Sequence, residues 1–308
     1  MGDVQYPRRA SPVAGLFVLL IAMCSPASAE TRVLVNSFYN SAIYDLDTTT
    51  GSLSDPRPTG IQFLVGIAFA PDGILYGLSA TGSNPAANGL YRININTGAS
   101  ERIGPTGLTD IFEGDLFVSQ SGELYGLGNG QGSGPDRPQL FRLSTTTGQA
   151  TVVGAIKPDG AALRDVSAGT FAADGTLHIL DDYNNALLTV NPTTAQIISS
   201  RGLPPLGLIA GMAFDPLDGN LWIADGSNAD VGHFQNFNLT TGTMTPIGST
   251  WPVGIAGMTI VPEPRVMAVV FAALLALQCV KRPPYRPAIG SVRRRCQQRP
   301  SLCDGRVA

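Results

Sequence analysis

At 308 residues the chain holds one large domain or two ordinary ones. Its 36 glycines and 23 prolines, with only 14% charged residues, exclude a protein of long helices and suit a turn-rich all-β fold. The net charge of −3 hides a segregation: residues 30–262 carry nine Arg/Lys against twenty Asp/Glu, and from Lys281 onward eight Arg/Lys face Asp304 alone. An acidic body argues against a nucleic-acid partner, and a basic tail behind it suits a membrane-anchored topology.

Residues 1–29 read as a secretory signal peptide. Arg8-Arg9 gives the positive start, Val13–Met23 the apolar segment, and Ala27-Ser28-Ala29 a small-x-small cleavage site before Glu30. Cys24, Cys279, Cys296 and Cys303 all lie outside residues 30–262. The body therefore has no disulfide and must fold by core burial alone.

Residues 30–262 read as a repeat. Each copy opens with a β-hairpin: Gly66 to Gly77 with its turn at Pro71-Asp72-Gly73, Gly114 to Gly126, Gly169 to Ile179, and Ile209 to Ala224 with its turn over 215–219. A second hairpin follows each time. Leu90 to Gly98 alternates with period 2, Tyr91, Ile93 and Ile95 on one face and Arg92, Asn94 and Asn96 on the other, and runs into a Thr-Gly turn. Its counterparts are Ile43–Gly51, Leu140–Gly148, the degenerate Leu187–Ala195, and Phe237–Gly242. The turn positions 51, 98, 148, 195 and 242 are spaced by 47, 50, 47 and 47 residues. About four short strands per period of this size is the pattern of a β-propeller blade, whose two faces are covered only by stacking on neighbours.

The spacing predicts an all-β, five-bladed propeller. The mature chain begins at Arg32–Phe38 with no first hairpin strand before it. The body ends on Ile255-Ala-Gly-Met-Thr-Ile260, an echo of Ile209-Ala-Gly-Met-Ala-Phe214. The C-terminal strand thus supplies the inner strand of the first blade. The small residues Gly66, Gly114, Gly169 and Gly211 suit the crowded axis, and Phe69, Phe117, Phe171 and Phe214 are expected to pack between blades as core.

Two acidic clusters, Asp181-Asp182-Tyr183-Asn184-Asn185 and Asp225 to Asp230, follow the second strand of two blades. Their Asp and Asn residues either end strands in Asx-turns or, as hard oxygen ligands at Asp181, Asp182, Asp225 and Asp230, hold Ca²⁺. No other cofactor is expected. His178 and His233 fall in different blades without a companion ligand motif, so no zinc site is expected. The stretch 218–228, Asp-Gly-Asn-Leu-Trp-Ile-Ala-Asp-Gly-Ser-Asn, resembles repeats of NHL-type and gluconolactonase-like calcium propellers. That resemblance implies a calcium-dependent hydrolase of lactonase type as one function; a non-enzymatic binding or scaffold role is the other.

After the closing strand comes Val261-Pro262-Glu263-Pro264, then Arg265, then an apolar run from Val266 to Val280 interrupted by Gln278, then Lys281-Arg282. As a helix the run reaches only about 22 Å, short of a bilayer core unless Arg265 and Lys281 snorkel. Pro262-Glu263-Pro264, an apolar segment and a basic cluster resemble the C-terminal sorting signal of bacterial PEP-CTERM proteins. The resemblance implies recognition by an exosortase-type sorting enzyme, a transmembrane segment over 263–282, and an envelope or matrix ligand still to be identified. An ordinary single-pass anchor is the alternative. Residues 283–308, rich in Pro, Arg and Gln, read as a basic disordered tail that extends beyond where such signals stop.

Overall fold

The computed structural model describes residues 32–80, 88–108, 111, 113–128, 138–156, 165–207, 209–226 and 232–262. They form five antiparallel four-stranded sheets. The first blade combines β1 (Arg32–Ser37), β2 (Ala42–Leu46) and β3 (Leu53–Pro58) with the last strand of the body, β20 (Ile255–Val261). The second is β4 (Leu64–Phe69), β5 (Leu75–Ser79), β6 (Leu90–Ile93) and β7 (Ser100–Gly104). The third is β8 (Leu116–Val118), β9 (Leu124–Gly128), β10 (Gln139–Leu143) and β11 (Ala150–Ala155). The fourth is β12 (Ala168–Phe171), β13 (Leu177–Asp181), β14 (Ala186–Val190) and β15 (Ile197–Gly202). The fifth is β16 (Ile209–Phe214), β17 (Leu221–Gly226), β18 (Gly232–Phe237) and β19 (Met244–Trp251).

The predicted ring closure is present. β20 pairs antiparallel with β1, Arg32 opposite Val261 and Val35 opposite Met258. The inner strands β20, β4, β8, β12 and β16 are each the free edge of their sheet, and each contacts the next around the axis. The end where they begin is called the head below, and the end where they finish the foot.

The hairpins explain the period. Each second hairpin turns on a residue whose side-chain oxygen accepts backbone N–H groups two and three residues on: Asp47, Asn94, Ser144 and Asn238 bind both. Each turn then closes on a residue at positive φ, Gly51, Gly98, Gly148 or Gly242. In the degenerate copy Asn191 plays the first part and Ala195, at φ 59°, the second. These turns dock on the outer strand of the preceding blade. Gly104 packs against Thr147 and Gly148, Gly154 against Thr194 and Ala195, and Gly248 against Thr50 and Gly51. Arg57 does the same job by donating to the Ile95 carbonyl at 2.7 Å, while pairing with Asp45 at 2.9 Å. Trp251 Nε1 donates to the Gly51 carbonyl, which ties the fifth blade to the composite one.

The cores lie between blades. Leu34 and Ile43 of the first blade pack with Leu64 and Ile67 of the second, and Met212 and Leu221 of the fifth with Ala168 and Leu180 of the fourth. Close approach at the axis demands small residues. A Cβ on Gly211 would lie 2.6 Å from the Gly257 carbonyl carbon, and one on Gly257 would lie 2.8 Å from the Gly66 Cα.

Two register details differ from the sequence reading. Counted back from the turn glycines Gly73, Gly122 and Gly175, the residues level with Gly66 are Asp115 and Ala168, not Gly114 and Gly169. The extra residue at the start of the third copy misleads an alignment anchored on glycine. Likewise the residue level with Phe69, Phe171 and Phe214 is Val118. Phe117 lies one position earlier, buried between blades and 5.8 Å from the Phe171 ring. Phe69, Phe171 and Phe214 are half-buried at the foot, so they are core on one side only.

The signal peptide (1–29), Glu263 and Pro264 of the sorting motif, the transmembrane segment and the basic tail lie outside the described residues. Val261 pairs in β20 and Pro262 follows it directly. Among the described residues no helix is long and apolar enough to cross a membrane.

Candidate functional site

At the head, the turn after β13 is built by its own amides. Asp181 accepts the Asn184 backbone N–H at 3.0 Å and the Asn184 side-chain amide at 2.7 Å. Asn185, at φ 50°, accepts the Leu203 N–H on its carbonyl and the Leu206 N–H on its side chain, both at 2.7 Å. The turn is thereby fastened to the link that leads into the fifth blade. Asp181 is a strand-ending Asx residue with its oxygens occupied; burial still holds its carboxyl above the ordinary range.

Asp182 differs. It is 5% exposed, and neither carboxyl oxygen has a hydrogen-bond partner. The residues level with it in the first, second and fifth blades are Phe38, Ala80 and Gly226, so a carboxyl stands where those three blades carry apolar or small residues. Burial first, and then repulsion from Asp165, Glu113 and Asp181, push its carboxyl up to about 8. At neutral pH it is a buried carboxylic acid, able both to donate and to accept a hydrogen bond.

Asp115 is a second acid out of pattern, on the neighbouring blade. It is fully buried and accepts the Leu116 N–H at 2.7 Å and the Gly169 N–H at 3.0 Å. The second bond crosses from the third blade to the fourth. Burial raises its carboxyl well above the carboxylate range despite both bonds. Ser167, also buried, has a hydroxyl without a partner. Glu113, Asp115, Asp165, Ser167 and Asp182 thus mark one seam, between the third and fourth blades at the head. The sequence reading missed Glu113, Asp115 and Asp165. The signal was acidic residues set directly before the short apolar runs of inner strands.

Of the expected calcium set, Asp181 and Asp182 stand side by side in the turn at the head. The backbone of Asp225 pairs in β17 at the place matching Asp181, as the repeat requires. Its side chain, and all of Asp230, lie outside the described residues. Among the described residues no group of three acidic, His or Cys side chains is placed to hold a metal ion. His178 is buried in β13, with its protonation suppressed by burial against the pull of Asp174, and His233 is exposed in β18.

A family model described as a repeat of unknown function (DUF6923) matches residues 116–260, short of half the chain. No curated protein matches. Among solved structures, a protein of unknown function from Bacteroides caccae is 10% identical with a TM-score of 0.45, over 76% of this chain and 100% of that one. A nidogen/laminin complex gives 14% identity and a TM-score of 0.47, over 75% of this chain and 98% of that chain. A regucalcin from Agrobacterium tumefaciens, a calcium-binding protein, gives 16% and 0.44, over 73% and 71%. These are likenesses of overall architecture, and no functional residue is carried over from them.

Proposed function

We propose that this chain is an exported, membrane-sorted propeller that acts as a non-enzymatic binding protein at the cell envelope, and that its ligand sits at the head over the seam of the third and fourth blades. The observation that supports this reading is Asp182, a buried carboxyl with no partner of its own. An unpaired buried polar group costs roughly 1–3 kcal/mol, which a ligand hydrogen-bonding to it would recover. Strain and unmet hydrogen bonding of this kind concentrate where a fold keeps a place for something else. The signal peptide over 1–29 and the Val261-Pro262-Glu263-Pro264 motif with its apolar segment set the address. Export leaves the acidic body outside and the basic tail on the cytoplasmic side. An exosortase-type enzyme is the sorting partner.

A calcium-dependent hydrolase of lactonase type is the second reading. The same bare carboxyl, crowded by Asp165 and Glu113, favours it, because a cation would relieve their repulsion.

One comparison separates the two. Labelled protein and its Asp182→Asn variant are titrated against native envelope preparations, with lactone hydrolysis and melting temperature followed with and without millimolar Ca²⁺. The binding reading expects saturable envelope binding, weakened at least about tenfold in the variant, and a melting temperature indifferent to Ca²⁺. Calcium at about 100 times its Kd would instead add about 2.7 kcal/mol of stability. Such a stabilisation, together with lactone turnover lost in D182N, would establish the hydrolase.

A further inference from the structure

At the foot the five inner strands carry residues at one level: Phe69, Val118, Phe171, Phe214 and Ile260. All are apolar and all are only half-buried. They surround a cavity of about 140 Å³ on the axis, at the opposite end of the ring from Asp182. Scattered exposed apolar residues are ordinary, but five contiguous ones around one opening mark a binding site.

The walls narrow the choice of occupant. Leu116, Met212 and Met258 line the cavity beyond the mouth. Two hydroxyls join them, from Thr170 and Thr259. Thr259 Oγ1 accepts the Phe69 backbone N–H at 2.9 Å, which leaves its own O–H to donate. The Thr170 hydroxyl makes no hydrogen bond to a described residue, though Thr170 is 8% exposed.

We infer that this cavity binds a single phenolic ring. Apolar cavities of roughly 150 Å³ take up benzene, so one ring fits and a fused pair does not. Three phenylalanines at the mouth and two methionine thioethers beyond it give edge, face and sulfur contacts that favour an aromatic over an aliphatic guest. The two threonine hydroxyls satisfy one polar substituent on the ring. A sugar of the same size brings more hydroxyls than they can meet, and each unmet one opposes binding. The site is independent of the head, so its failure leaves the proposed function standing.

The test uses phenol, benzene and glucose as probes of the purified full chain, with binding followed by ligand-observed NMR. Phenol is expected to saturate with a Kd on the order of 1 mM, benzene to bind at least threefold more weakly, and glucose not to bind. Val118→Trp, which narrows the mouth from a half-buried position, should weaken phenol at least tenfold with the β-sheet circular dichroism unchanged. Ala213→Leu, which fills the interior, should do the same. Thr170→Val should bring phenol down to the benzene level. The Asp182→Asn variant should bind phenol as the parent does. Absence of saturable phenol binding, or phenol binding unchanged in both V118W and A213L, overturns the site. Benzene binding as tightly as phenol overturns the assignment of the hydroxyls.

Discussion

Replacing Asp182 with Asn keeps the shape of the side chain and removes its titration. An aspartate ordinarily titrates at 3.8, whereas burial and its acidic neighbours move this one to about 8. Between these values the unfolded chain has released the proton and the folded chain has kept it. The folded state then binds more protons, so stability falls as pH rises through that window. Below about 4 the group contributes nothing to the pH dependence, and above about 8 the full cost is present. At about 1.4 kcal/mol per pH unit the window is worth up to about 6 kcal/mol, reduced by relaxation of the site to about 2–5 kcal/mol. The amide introduced by D182N would itself be buried without a partner, so the variant's stability at any single pH is not diagnostic. The slope is. Urea unfolding at intervals from pH 4 to 9 should show D182N gaining about 2–5 kcal/mol on the parent between the two ends. Parallel curves for parent and variant would refute the placement of a bare, protonated carboxyl in the seam.

Other consequences follow from the axis and the seam. Asp115→Ala would strip two buried N–H groups, of Leu116 and Gly169, of their acceptor; chemical denaturation should show a loss of about 2–5 kcal/mol, and D115N a smaller one. Gly211→Ala would drive a methyl into Gly257, so it should lower stability by at least about 2 kcal/mol. Gly73→Ala, with open space around it, should cost only about 1 kcal/mol of left-handed backbone strain, read by the same melts. Truncation before Ile255 would leave β1 without its inner partner, and the cooperative thermal transition should vanish, whereas truncation after Pro262 should keep it.

Much of the architecture was legible because its turns are chemically demanding. A turn that ends at positive φ calls for glycine, and one that opens on a side-chain acceptor calls for Asp, Asn or Ser. Five such turns at one spacing therefore give the blade count, and even Ala195 is recognisable by Asn191 before it. The echo at Ile255–Ile260 gave the closure, because an inner strand must fit the same crowded axis wherever its sequence lies. The candidate site was legible only in part. Asp181 and Asp182 are adjacent in sequence, yet one ends a strand and is consumed by Asn184, and the other opens the turn with its carboxyl bare. Asp115, Glu113 and Asp165 come to the seam from two other segments, and pairings of that range leave no local pattern. The one-residue offset at Asp115 shows why glycine is a poorer ruler than the turn it serves.

Where the protein resides and where its chain is cut are the most direct tests of export and sorting. Intact-mass measurement of the protein recovered from its native envelope should give a chain beginning at Glu30 and ending near Pro264. A chain recovered from the cytosol and still beginning at Met1 would contradict an exported, membrane-sorted binding protein.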